Sequence, residues 1–290
     1  MSDLFTKIKY KYQLSDNLNK LLYINIGIFM VYQFLIIFGF LFEINTIKDF
    51  FRDFFSIPAN TTTLINRPWT LFTYMFIHFD LLHIIFNLIW LHFGSKIFLQ
   101  FLNQKQLIST YILGGITGGL SYIIAYNVFP VFEDNILTAK AIGSSASVLA
   151  IFIAIATYSP NHILRLYLIG NIKLKYIAIT IIILDFLMIN SQNSGGHIAH
   201  IGGAFYGFFY VILLKKGFDL SINYQNLINI FYNQKKKKRT RNQKNNDDIF
   251  RNNKAKRQDE INIILEKISQ SGYDSLTKEE KATLFKQSKR

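Results

Sequence analysis

The residues of this chain equipped for chemistry are a few hydroxyls, imidazoles and an amide set into apolar sequence. Gly143-Ser144-Ser145-Ala146 opens one hydrophobic segment, and His200-Ile201-Gly202-Gly203 lies near the start of another. A serine hydroxyl becomes a nucleophile when a nearby imidazole takes its proton, so Ser145 and His200 are the pair that acyl transfer needs. His83 and Asn87 stand four residues apart, hence on one helix face. Both can donate a hydrogen bond to a developing oxyanion. Each feature also has a structural reading: small residues let membrane helices approach, and a buried His–Asn pair can hold helices together.

The elements that must position these groups are apolar spans. The chain has 290 residues, 50% of them hydrophobic, and the apolar share is concentrated before about residue 216. Runs near ~20 apolar residues read as membrane helices, and they fall at roughly 20–42, 80–101, 107–129, 141–159, 171–190 and 197–216. The expected fold is all-α: a polytopic six-transmembrane-helix bundle with a small helical tail. Its parts are an N-terminal segment (1–19), the membrane domain (20–216), a basic linker (217–257) and a short helical region (258–290). The first eighteen residues show no signal-peptide cleavage pattern, so the first apolar run is expected to remain as a helix. With no cysteine there is no disulfide, thiol nucleophile or thiolate metal site. No His/Asp/Glu ligand cluster is evident from spacing, and neither a metal nor a cofactor is expected.

Basic residues orient the bundle. Lys7, Lys9, Lys11 and Lys20 precede the first span, Lys96 and Lys105 flank the second connection, Arg165, Lys173 and Lys175 the fourth, and Lys215 follows the sixth. The opposite loops carry Lys48, Arg52, Arg67 and Lys140, offset by Glu43, Asp49, Asp53, Glu133 and Asp134. The positive-inside rule then puts both termini in the cytoplasm. Spans two, four and six all run inward, and His83, Ser145 and His200 each fall about one turn, ~5.4 Å, into their span.

Taken together, the three clusters resemble the rhomboid family of intramembrane serine proteases. Gly143-Ser144-Ser145-Ala146 is similar to its GxSx nucleophile motif, and His200 with Gly203 and Gly207 to its sixth-helix base. His83 and Asn87 match its HxxxN, and Trp69 to Gly94 resembles its first loop and second helix continuously. The likeness covers roughly 20–216. It implies a Ser145–His200 dyad without a third carboxylate, and an oxyanion site of His83, Asn87 and the Ser145 backbone N–H. It also implies cleavage of transmembrane protein substrates in a bacterial inner membrane. Two positions depart from the family: Thr70 follows Trp69 where Arg is frequent, and Leu149 stands where an aromatic commonly stacks on the base. The competing classes are a catalytically silent relative that binds membrane clients and a transporter. No internal repeat or midplane charge pair supports the latter.

Beyond the clusters, Phe50, Phe51, Phe54 and Phe55 lie among charges in an amphipathic stretch suited to the membrane interface, the alternative being an ordinary extracytoplasmic helix packed on the domain. Asp185 in span five is expected at the wet interface, the alternatives being a bond to His197 or to loop backbone. Gly114, Gly115, Gly118 and Gly119 give span three close-packing faces. The run Lys235–Arg241, continuing to Lys244, suits contact with anionic lipid, the alternative being a topology signal and solvated linker. A nucleic-acid partner is disfavoured for a block tethered to a membrane. Ile261, Ile264, Leu265 and Ile268 have helical spacing, Gly272 interrupts it, and Thr277-Lys278-Glu279-Glu280 resembles a capping box before Leu284 and Phe285.

Overall fold

The structure, a computed structural model, describes residues 15–166, 170–221 and 261–288. Helix α1 (Asn17–Leu41) starts where the Asp16 carboxylate accepts the Asn19 N–H at 2.8 Å, a side-chain N-cap. It is apolar on most sides, but Leu18, Leu21, Asn25, Phe29 and Tyr32 face inward at helical spacing, while Phe34 and Phe40 stand exposed. Such a helix is solvated by lipid on its outer face. The connection to the next span contains α2 (Thr46–Phe55), β1 (Ile57–Pro58), α3 (Thr61–Asn66) and α4 (Thr70–Thr73). Then follow α5 (Leu81–Phe101) and α6 (Gln104–Val128), the latter opened by a capping box in which Asn103 and Gln106 bond reciprocally at 2.9 Å. Strand β2 (Lys140–Ala141) pairs antiparallel with β1, Ile57 opposite Ala141. After α7 (Ser145–Tyr158), strands β3 (Ile163–Leu166) and β4 (Gly170–Lys173) form a second antiparallel pair, followed by α8 (Leu174–Leu187) and α9 (Ser194–Lys215).

All six expected spans are helices, and the domain is an all-α membrane bundle. Among the described residues, α1, α5, α6 and α9 are long and apolar enough to cross a bilayer. Helices α7 and α8 have 14 residues each, about 21 Å against a hydrocarbon core of ~30 Å. Strand pairing explains both shortfalls. Residues 140–141 are taken by β2, and Gly143 at φ 105° is a backbone conformation that a helix cannot continue. Likewise, β4 claims Gly170–Lys173 before α8 begins.

Helix α7 is the axis of the bundle: every residue from Ala146 to Ala156 is buried. Its neighbours approach at backbone distance because they carry glycines. A Cβ on Gly203 or Gly207 of α9 would collide with the backbone of Ala146 or Ala150, and one on Gly114 or Gly118 of α6 with the side chains of those same alanines. Such close approach is what dispersion-driven packing in a membrane requires. One chain of buried polar groups links α1 to α6 and the segment before α5. The Asn25 amide donates to the Leu21 carbonyl at 2.9 Å and to the Tyr111 hydroxyl at 3.2 Å, and the Tyr111 hydroxyl donates in turn to the Met75 carbonyl at 3.2 Å.

The C-terminal residues form a separate compact unit. A helix over 261–271 ends at Gly272, whose φ of 76° is left-handed, and a last helix spans Lys278–Ser288. Thr277 and Glu280 form the capping box, with Thr277 N–H donating to Glu280 Oε2 at 2.7 Å and Glu280 N–H to Thr277 Oγ1 at 3.3 Å. Lys267 Nζ joins the two helices by donating to both Glu280 oxygens at 2.9 Å. Ile264 is buried and Leu265 exposed. The basic run 235–244 lies outside the described residues.

Candidate active site

A cavity of about 270 Å³ opens beside the N-terminus of α7, lined by Ser145, Asn87, His200, His197, Asp185 and the apolar side chains around them. Three of the residues singled out in the sequence therefore meet, although they come from α7, α5 and α9. The glycines explain why. Gly203 seats α9 directly on Ala146, so His200, one turn earlier, lines the same cavity as Ser145. Because α7 begins at Ser145, that residue lines the cavity from the first turn of the helix.

His83 is not part of that lining. Its ring packs against Gly143, where a Cβ would come within 2.7 Å of Cε1 and 2.9 Å of Nε2. Gly143 is thus required twice, for its positive φ and for the space the imidazole fills. Its N–H donates to the Tyr74 carbonyl at 2.9 Å, which fixes the turn leading into α7. Among the described residues no hydrogen bond joins the Ser145 hydroxyl to His200, and the Ser145 N–H has no protein acceptor. Leu149 lines the cavity in place of an aromatic.

Two further groups belong to this site. Asp185 is only 6% exposed because the imidazoles of α9 cover it, and it makes the bond to His197 that stood as an alternative expectation. The Nδ1 atoms of His197 and His200 both lie 2.8 Å from its Oδ1. A carboxylate only accepts, so each Nδ1 carries the proton and each Nε2 is left as an acceptor. His200 is thereby oriented by a carboxylate. The donor atoms of Asp185, His197 and His200 also lie within 4.8 Å of one another, a cluster that sequence spacing hides because Asp185 sits on another helix.

His78 is the second addition. It is 1% exposed, and its Nε2 accepts from the Ser144 N–H at 3.3 Å and from Asn87 Nδ2 at 2.9 Å. One ring nitrogen thus ties the entrance of α7 to Asn87 on α5, and the ring proton must lie on Nδ1. The only signal in the sequence was a lone histidine between Ile77 and Phe79.

The loop over this face is anchored through the C-terminal carbonyls of α2. Arg67 donates to the Asp53 carbonyl at 2.6 Å, Trp69 Nε1 to that of Phe54 at 2.8 Å, and Thr73 Oγ1 to that of Phe55 at 2.9 Å. Thr70 Oγ1 caps the Arg67 carbonyl at 2.7 Å, so a threonine after Trp69 still has a structural task. Asp53 pairs with Lys140 of β2, and that hydrogen bond holds its carboxyl below the ordinary carboxylate range.

Known proteins match this chain in two regions. The rhomboid domain matches residues 66–217, and a family of unknown function matches residues 244–290. Presenilin-associated rhomboid-like protein A, mitochondrial, of Danio rerio is 26% identical over 167 residues, 54% of this chain. The chain spans 39% of the length of that relative. With a rhomboid domain over more than half its length and its apolar helices in one bundle, the chain belongs to the rhomboid family and is an integral membrane protein.

Proposed function

We propose that this rhomboid is an intramembrane serine endopeptidase acting on transmembrane proteins, with Ser145 as nucleophile and His200 as general base. The observation that carries the reading is the shared recess: a hydroxyl, an imidazole whose Nε2 is free to accept, and an amide donor converge on one cavity. Ser145 Oγ attacks the scissile carbonyl carbon as its proton passes to His200 Nε2. The tetrahedral oxyanion is held by Asn87 and by the Ser145 N–H at the positive end of α7. His83 is the third donor, and its ring must swing from its seat against Gly143 to reach the oxyanion. Collapse breaks the C–N bond, and His200 returns the proton to the leaving amine. Water then attacks the acyl-enzyme, again deprotonated by His200, and releases the acid and free Ser145. Asp185 keeps Nδ1 protonated and stabilises the imidazolium formed in each half-reaction.

Membrane topology completes the proposal. With both termini in the cytoplasm of a bacterial cell and the domain in the inner membrane, the recess lies toward the outer face, where water for deacylation is available. The domain limits follow the composition, with the protease in 20–216, and the basic run 235–244 meets anionic headgroups of the inner leaflet. A silent, client-binding rhomboid is the second reading, favoured by the missing Ser145–His200 hydrogen bond. Hydrogen bonds of this type often tighten only with substrate bound. A fluorophosphonate probe separates the two. The protease acquires a covalent label on Ser145 that His200→Ala removes; a protein that never labels is a binder.

A further inference from the structure

We propose that Asp185, His197 and His200 form a binding site for a divalent transition-metal ion, with zinc the best match, and that an ion held there silences the recess. The geometry comes first. Donor atoms from all three side chains lie within 4.8 Å of one another, and both Nδ1 atoms stand 2.8 Å from one carboxylate oxygen. Ligands at Zn–N and Zn–O distances of ~2.0–2.2 Å around a tetrahedral ion are about 3.3 Å apart, so small side-chain shifts suffice. His197 and His200 are three residues apart on α9 and project from one face, while Asp185 closes the set from α8.

A second observation points to a ligand. Asp185 Oδ2 is buried and has no hydrogen-bond partner among the described residues. An unpaired buried carboxylate oxygen is costly, and a cation bound between the imidazoles and the carboxylate satisfies it. The cavity bordering all three residues leaves room for water as a fourth ligand, the usual composition of an open zinc site with three protein ligands. Two imidazoles and one carboxylate suit zinc and its transition-metal neighbours; magnesium and calcium prefer oxygen-only shells.

The consequence for chemistry is a proton displacement, and this part rests on His200 being the base. A metal on Nδ1 takes the lone pair of a neutral imidazole, whose single proton moves to Nε2. Proton number is unchanged, but Nε2–H can no longer accept from Ser145. Metal occupancy also withdraws Asp185 from orienting the ring. Both effects stop acyl transfer without disturbing the fold.

The test uses the full chain in detergent. Metal-free Ser145→Ala protein is titrated with Co²⁺, whose visible d–d absorption reports four-coordination independently of any proteolysis. Saturation at one ion per chain, displacement by Zn²⁺, indifference to Mg²⁺ and at least about tenfold weaker binding in His197→Gln are expected. An absent spectrum, or equal affinity in His197→Gln, overturns the site. Zn²⁺ is then added to the wild type cleaving a transmembrane reporter, each variant normalised to its own metal-free rate. Inhibition that chelator reverses and His197→Gln relieves at least about tenfold supports silencing. Undiminished cleavage at saturating Zn²⁺ overturns it. A wild type that binds Co²⁺ but never cleaves leaves the metal site standing and removes the protease reading instead.

Discussion

Gly203 is where α9 comes closest to α7, so Gly203→Ala tests whether that contact sets the recess. The added methyl would overlap the Ala146 carbonyl and lie 2.9 Å from its carbon and 3.1 Å from Ala146 Cα. Carbon contacts relax toward ~3.5–4.0 Å, and the obstacle is backbone, so the helices must part by roughly 0.5–1 Å. His200 moves with α9, whereas Ser145, adjacent to Ala146, stays with α7. The strain falls on their separation, and a misplacement near 1 Å costs ~10²-fold in rate. Overpacking costs about 1–3 kcal/mol, partly offset by the helix propensity of alanine, about 1 kcal/mol better than glycine. Turnover per folded molecule should therefore drop far more than thermal stability. Gly27→Ala, with nothing within 4 Å of the new methyl, is the control and should keep wild-type turnover. Both are measured by reporter cleavage and thermal unfolding of purified protein. A Gly203→Ala variant with undiminished turnover would refute the argument that helix approach positions the base.

Three other outcomes follow from the same geometry. Asp185→Asn should lower kcat by ~10²–10⁴ with little change in KM, because the amide can impose the wrong tautomer on His200; steady-state kinetics showing an effect confined to KM would contradict this. Asn87→Ala should lower kcat by ~10²–10³ and, by removing the shortest of the bonds to His78 Nε2, also lower the unfolding temperature, so normal turnover per folded molecule would remove Asn87 from the oxyanion site. For Asp53, whose folded pKa is depressed by Lys140, the stabilising contribution is present above the unfolded carboxylate value and lost as pH falls through the folded value. The difference in unfolding temperature between wild type and Asp53→Asn should thus hold at neutral pH and vanish only well below about pH 4; a difference that disappears near pH 7 would contradict the assignment.

Much of this was legible in the chain. The six apolar runs announce the bundle because a membrane helix carries its signal locally, in length and hydropathy. Ser145, His200 and Asn87 stand out as polar residues set in apolar surroundings, where they are expensive. Asp185 and His78 were less visible, because what gives them a role is contact between segments far apart in the sequence. The bond from Asp185 to His200 bridges 15 residues, and that from His78 to Ser144 bridges 66. The ends of α7 and α8 were also misjudged by several residues. A two-residue pairing such as Ile57 with Ala141 leaves no periodicity to read, yet it decides where α7 begins and therefore where the hydroxyl sits.

The central claim is that one hydroxyl does the chemistry, and its neighbours supply the control. Ser144 Oγ lies 3.3 Å from His78 Nε2, and Ser147 Oγ is turned toward Met75 Sδ at 3.9 Å, whereas Ser145 faces the cavity. The decisive measurement is cleavage of a transmembrane reporter by purified Ser145→Ala, Ser144→Ala and Ser147→Ala at matched amounts of folded protein. Cleavage should vanish in Ser145→Ala and persist in the other two. Cleavage that survives in Ser145→Ala would contradict the account.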